Sequence, residues 1–403
     1  MTTLGQHSIG ELREAYRIDP RLWAKVRNGM AAIALAGWAL TAAGYWLDRP
    51  RAEAAYLVAF VFFTTIAVGA LFFTILQHLT GAAWSVTVRR LAENVSMTLP
   101  VLAILYVPLA FALRRLYPWA RPEMVAADAI LRGRHASMNP EFFLIRTAIY
   151  FAVWSLLAHR LYRKSVEQDR GGSVELVRSA SRWSGAGIVL LTITVCLAAF
   201  DWLMSLDPHW YSTIFGIYVY AGAGLAGFAA ITVIALALRR AGILRASVNQ
   251  EHYHDLGKWV FALTVFWAYI AFSQYLLIWY ANIPEETVWF RDRSVHGWQW
   301  LGTLLVFGHF LVPFFVLVSR AAKRNLVVLG AAALWMLLMQ YVDLYWIAMP
   351  ALGGGLRFEW IDFAAVLAVG GTVALAFWWR MRQHAIAPIG DLRFEKSLEF
   401  KNV

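Results

Sequence analysis

The chain has one cysteine, Cys196, in 403 residues, and that scarcity closes off several chemistries at once. Intrachain disulfides are excluded, as are cysteine-ligated iron–sulfur clusters and covalently attached haem. Charge is scarce as well: 15% of residues are Asp, Glu, Lys or Arg, against 60% hydrophobic residues and 20 Trp. A soluble domain of this length needs a polar skin that this composition does not supply. Residues 1–28 are polar and charged and lack a central apolar stretch, so no cleavable signal is expected, and the first span is expected to act as the insertion signal. No phosphate-binding loop, zinc-ligand spacing or nucleophile motif occurs. Gly222, Gly224 and Gly227 spell a dinucleotide fingerprint, but no strand precedes them and they lie in an apolar run, where small residues allow close helix packing.

Long apolar runs fill the rest. About 20 apolar residues are needed to cross the hydrocarbon layer, and only a helix satisfies every backbone N–H and C=O there within one segment. Ten such runs are expected at 29–48, 54–79, 93–115, 141–163, 182–204, 212–238, 257–281, 297–319, 325–347 and 360–380. The fold class is therefore an all-α polytopic membrane protein. Its parts are an amphipathic N-terminal segment (1–28, with Leu12, Tyr16, Leu22 and Trp23), a ten-helix membrane domain (29–380) and a C-terminal tail (381–403). An even number of crossings puts both termini on one side. That side carries 25 of the 36 Lys and Arg, the opposite side 10, and Arg146 falls within a span. Positive charge in short loops marks the cytoplasm, so both termini are expected there. The net charge of +11 is accounted for by this asymmetry, and no nucleic-acid partner is expected.

Several local features follow. Tyr117, Trp119, Trp202, Trp210, Tyr211, Trp289, Trp298 and Trp300 cluster at the outer boundary and read as an aromatic belt. Asp207-Pro208 reads as a helix cap followed by Pro at the first helical position, and Pro284-Glu285-Glu286 as the start of a short surface helix. Spans 2–5 and 6–9 both begin outside, with Arg pairs (Arg89-Arg90, Arg239-Arg240) after spans 2 and 6. That pattern suggests a parallel repeat of two four-helix bundles, about 54–204 and 212–347, plus two peripheral helices.

Ionisable groups at membrane depth are costly and mark candidate sites. At 1.5 Å per residue, His309 lies ~18 Å into span 8 and Arg146 ~8 Å from the outer edge of span 4. Asp201, Gln274, Gln340 and Asp343 lie in the outer thirds of their spans. His78, Glu93 and His159 sit at inner span ends, with His252, His254 and Asp255 just beyond. A proton path is one reading: Arg146, Asp201, Gln340 and Asp343 at the outer mouth, His309 between, and His78, Glu93 and His159 at the inner mouth. The plainer readings are an Arg146–Asp201 structural ion pair, helix–helix hydrogen bonding by Gln340 and Asp343, a packed His309, and interfacial His78 and His159. Asp201, Asp207 and His209 are candidates for contacting a quinone. Haem is not expected, because His309 has no histidine at matching depth to share an iron with.

Three stretches carry a family resemblance: Gln77-His78-Leu79-Thr80-Gly81-Ala82-Ala83-Trp84-Ser85 continuing to Arg89-Arg90-Leu91-Ala92-Glu93; Trp202 to Thr213 running into Gly216-Ile217-Tyr218; and His254-Asp255-Leu256-Gly257-Lys258 through Phe272 to Thr287. Together they resemble the smaller NrfD-like membrane subunit of bacterial alternative complex III, and with the span count the resemblance covers nearly the whole chain. It implies an inner-membrane subunit of a quinol-oxidising respiratory complex that binds no redox centre itself. Haem c and iron–sulfur clusters would sit in partner subunits, beside a larger NrfD-like subunit and a terminal oxidase as a further candidate partner. The resemblance leaves open whether quinone or lipid binds this chain, and whether it passes protons or acts as a scaffold. His78, Glu93, Asp207, His209, Gln274 and Glu285 fall inside the resembling stretches. A secondary transporter is the competing reading. It is weakened because Pro100 and Pro313 do not occupy corresponding spans of the two halves.

Overall fold

Six membrane helices begin at a side-chain cap. Asp19, Asp48, Asn139, Ser173, Asn249 and Asn325 each accept hydrogen bonds from backbone N–H groups of the first turn, which satisfies donors that the helix itself cannot. The computed structural model describes residues 16–245 and 247–402, so Leu12 of the expected amphipathic segment lies outside the described residues. Among these residues there is no strand. The long helices are α1 (Pro20–Leu47), α2 (Arg49–Leu79), α3 (Val86–Leu105, continued by Val107–Leu116), α4 (Pro140–Gln168), α5 (Val174–Trp202), α6 (Phe215–Arg240), α7 (Gln250–Ala281), α8 (Trp298–Leu317), α9 (Leu326–Ala348) and α10 (Trp360–Met381). Nine are long and apolar enough to cross a membrane unbroken, and α3 is a bent pair meeting at 56°.

The bend in α3 was not expected from span 93–115, and its cause is local. Pro108 has no N–H to continue the helical ladder, and Leu109 N turns instead to Tyr106 O at 2.9 Å. The Leu105 carbonyl then accepts the Tyr56 hydroxyl at 2.7 Å. Ile386 N donates to Tyr16 O at 3.0 Å, which brings the residues flanking α1 and α10 together and is in keeping with the bent α3 as a single crossing. Outward faces are apolar: Leu35, Ile104, Phe111, Phe315 and Val327 are all at least two-thirds exposed, which suits lipid and not water. This is an all-α polytopic membrane protein.

Helices α2 and α6 form the centre and are buried along most of their length. They cross at two glycines. A Cβ on Gly69 would lie 1.9 Å from Ala223 O, and one on Gly227 would lie 2.2 Å from Gly69 C. Gly227 thus serves helix packing. Helices α3 and α5 pack on α2 with α4 beside them as a first group, α7 and α9 pack on α6 with α8 beside them as a second, and the two groups are joined extensively along α2 and α6, while α1 and α10 pair with each other and lean on α2. In that outer pair Trp23 Nε1 donates to Trp378 O at 3.2 Å, and Trp378 Nε1 donates to Trp23 O at 3.0 Å.

Four further expectations are corrected. Residues 20–28 are the first turns of α1, not a separate surface segment. Asp207-Pro208 caps no helix: α6 starts at Phe215, and Asp207 ends a short 3-10 turn, Met204–Leu206. The Arg pairs are not counterparts, since Arg89 and Arg90 lie in the first turns of α3 whereas Arg239 and Arg240 end α6. Of the expected aromatic belt only Tyr211 and Trp300 are exposed, and the other six rings are buried. Those rings have carbonyls to satisfy: Trp119 Nε1 donates to Ser205 O and Trp210 Nε1 to Glu286 O, each at 3.1 Å. The short surface helix was read correctly and spans Pro284–Asp292.

Candidate functional site

Two carboxylates in the last helix of each group define the chemistry. In the first group, Asp201 on α5 is matched by a cation. Arg146 on α4 donates from Nε and Nη2 to its two oxygens at 2.8 Å each, and Tyr150 O–H donates to Oδ2 at 2.6 Å. A planar guanidinium meeting a carboxylate at two points is the strongest pairing these side chains make. The space beneath is filled by rings: Phe60, Tyr106, Phe151, Trp154 and Trp202 contact one another edge-on or stacked. Asp201 has its charge balanced and its lone pairs occupied.

In the second group, Asp343 on α9 pairs with no cation among the described residues. Tyr218 O–H of α6 donates to Oδ1, and Trp267 Nε1 of α7 donates to Oδ2 at 3.2 Å. Asp343 is 2% exposed. Its neighbour across Trp267 is His309, whose ring stacks on the indole with 3.8 Å between centroids and 28° between planes. His309 is fully buried, and neither ring nitrogen has a hydrogen-bond partner among the described residues. The backbone there is irregular: Leu305–Leu311 is a π-helical stretch, followed by Pro313. Such a widened turn is a frequent mark of a functional position in a helix. Gln340, one turn before Asp343 on the same face of α9, points at Gly222, and its Oε1 is also unpartnered, as is Oε1 of the buried Gln274.

A third cluster closes the side that carries the termini. Arg89 pairs with Glu93 (3.1 Å) and Asp391 (2.6 Å), and Arg90 with Glu93 (3.1 Å) and Asp169 (3.0 Å). Arg393 completes it, 3.2 Å from Asp391. Three guanidiniums thus face three carboxylates. Burial pushes the Asp391 carboxyl up, but Arg89 and Arg393 outweigh it and hold it well below the usual carboxylate range. His78 sits 4.0 Å from Glu93. The expected free tail is built into this face: Ser397 Oγ donates to Trp84 O at 3.0 Å, and Gly390 packs on the Gln168 carbonyl.

The expected path is therefore corrected in three respects. Arg146 and Asp201 belong to the first group and do not adjoin Gln340 and Asp343. His159 is exposed on the outer face of α4, away from His78 and Glu93. His78 and Glu93 lie in a charge-balanced cluster sealed by the tail. Asp343, Gln340 and His309 do come together. Of the quinone candidates, Asp201 is fully engaged. His209 is half exposed in a loop, with Nε2 2.6 Å from Asp128 Oδ2, and this contact draws Asp128 below its usual value. Asp207 is half-buried near Arg293, and burial raises it.

Sequence reasoning missed Tyr218 and Trp267, the two donors to Asp343. One signal existed for Tyr218, which stands nine residues before Gly227 as Phe60 stands nine before Gly69. A polar ring replaces an apolar one at matching points of the central pair. Nothing local marked Trp267 among 20 tryptophans.

These features define a class: a helical membrane protein in which several buried carboxyls are matched by arginines while Asp343, among the described residues, is met by neutral donors. No known family model matches the chain, and no curated protein matches it.

Proposed function

We propose that the chain is an integral subunit of a quinol-oxidising respiratory complex of the bacterial inner membrane, with both termini in the cytoplasm, and that its second four-helix bundle handles protons. It would carry no redox centre of its own and lie beside haem c, iron–sulfur and larger NrfD-like subunits. The sequence resemblance over three stretches supports the complex, and the gathering of α3–α5 about α2 and of α7–α9 about α6 is the feature that a paired-bundle reading rests on. One observation carries the proton reading: Asp343 is a buried carboxyl held by two neutral donors, with an imidazole whose nitrogens are unengaged one ring away. An ionisable group kept in a membrane interior without an opposite charge is costly, and exchange of a proton is the chemistry it offers. Asp201, with a cation bound, lacks that freedom. Tyr218 and Trp267 hold and orient Asp343; His309 takes up or releases the proton on its far side.

The test is the proton-to-electron ratio of the complex purified from native membranes. Asp343→Asn keeps the shape and removes the titrating group, so the ratio is expected to fall while the haem and iron–sulfur partners still co-purify. An unchanged ratio in an intact complex would reduce Asp343 and His309 to packing and leave a scaffold. Isolation of the chain without any haem protein would favour the transporter.

A further inference from the structure

A cleft of about 470 Å3 lies between α1, α2 and the Val107–Leu116 continuation of α3, at the end of α1 away from Tyr16. Aromatic and apolar side chains line it, among them Trp38, Tyr45, Tyr56 and Leu109. Trp46 (87% exposed) and Phe111 (80% exposed) flank its opening toward the lipid.

The polar groups are confined to one end. Glu53, 6% exposed, accepts from Arg115 Nε at 2.6 and 2.8 Å and from Arg115 Nη2 at 2.5 Å, and from Arg49 Nε at 3.1 Å. Two guanidiniums therefore share one carboxylate, a surplus of one positive charge. Arg49 reaches Glu53 through Nε alone, so its Nη groups face no acceptor among the described residues. The adjacent Asp48 is turned to the start of α2, accepting from Arg51 N. Thr41, 8% exposed, lines the same end, and its Oγ1 has no hydrogen-bond partner. Arg49 is the first residue of α2, and Arg115 is next to last in the continuation of α3. Both thus stand where headgroups lie, and from Tyr45 to Trp38 the cleft descends ~10 Å along α1.

We infer that this cleft binds one anionic phospholipid, its phosphate on Arg49 and Arg115 with Thr41 as a further donor, and one acyl chain laid along the aromatic wall. A positive surplus at the membrane boundary above an apolar slot matches a charged head on a hydrocarbon tail. A neutral quinone ring would leave that surplus unanswered. The site is independent of the proton reading above, since it lies against α1 and α3, away from Asp343.

The test uses the protein, with whatever partners co-purify, in phosphatidylcholine nanodiscs containing a minor share of phosphatidylglycerol. Native mass spectrometry should find one phosphatidylglycerol retained, enriched about tenfold over the bulk lipid, which corresponds to ~1.4 kcal/mol. Arg49→Gln with Arg115→Gln should bring retention down to the bulk ratio. Ala42→Trp fills the cleft from an exposed position of α1 without altering charge and should do the same, so a folding defect in the arginine variant cannot decide the matter. Equal retention in all three proteins overturns the inference. So does displacement of the lipid by millimolar inorganic phosphate, which would mark a site for the head alone, or recovery of a quinone in its place.

Discussion

His309 lies face to face with Trp267, and through that indole it is one hydrogen bond from Asp343. The stack fixes an imidazole beside a carboxyl without letting the two touch. Replacing His309 by Phe preserves the stack and removes both ring nitrogens. If protons pass here, the proton-to-electron ratio of the assembled complex falls in His309→Phe as it does in Asp343→Asn, with little change in thermal stability. A packing role predicts the reverse: an unaltered ratio in the Phe variant and a destabilised His309→Ala.

Arg146 and Asp201 form a partly buried pair, and each leaves the other uncompensated when removed. Asp201→Asn or Arg146→Leu alone should destabilise the protein by about 3 kcal/mol. The double variant should lose less than the two single losses combined. Thermal unfolding of the four proteins in one detergent measures the coupling, and strict additivity would show that the pair does not act as a unit.

The Gly69–Gly227 crossing has no room for a side chain, because the nearest atoms are backbone of the facing helix. Gly227→Ala forces α2 and α6 apart, with an expected loss of about 1–3 kcal/mol, and Gly227→Leu should prevent accumulation of the folded protein. Gly133, with nothing within 4 Å of a Cβ, is the control: Gly133→Ala should be tolerated. Similar melting temperatures for all three would contradict the close approach.

Asp391 sets the acid limit of the docked tail. Its native carboxyl stays ionised at pH values where an unfolded aspartate, near 3.9, takes a proton. Its contribution is therefore fully present above about pH 4 and is lost only as the pH falls through the native value. Asp391→Asn leaves Arg89 and Arg393 short of a counter-charge and should expose the amides of residues 385–398. Burial holds the neighbouring His384 imidazole below its usual value, so the tail as a whole loosens somewhat as the pH falls from 8 to 5, but the difference in opening free energy between the unmodified protein and Asp391→Asn, read by amide hydrogen exchange, should be the same at both values. A difference that shrinks between pH 8 and pH 5 would refute this reading.

Much of the architecture is legible along the chain because lipid imposes a local rule. Each crossing satisfies its own backbone, so each announces itself as one apolar run, and nine of the ten runs are continuous helices. The tenth failed to read as bent, although Pro108 was visible. A proline can kink a span or merely sit in it, and the sequence does not show that the Leu105 carbonyl finds another partner in the Tyr56 hydroxyl from α2. The aromatic belt misled for a related reason. Tryptophan suits an interface and a core equally, and only the carbonyls of Ser205 and Glu286 across the fold draw Trp119 and Trp210 inward.

The candidate site was half legible. Depth along a helix is one coordinate, and it is what singled out Arg146, Asp201, His309, Gln340 and Asp343. Which way each faces is the second coordinate, and the sequence does not print it when a helix is apolar all round. Asp201 and Asp343 therefore looked like members of one mouth, though α2 and α6 stand between their two groups. His159 looked like a partner of His78, although it faces outward.

By itself the sequence determined the solvent and the all-helical class, because hydrophobicity and run length are properties of consecutive residues. Only the tertiary structure decided which carboxyl is neutralised. That depends on whether an arginine or a tyrosine arrives from another helix, 55 residues away for Asp201 and 125 for Asp343, and in a membrane interior a carboxyl met by a guanidinium has its charge balanced where one met by neutral donors does not.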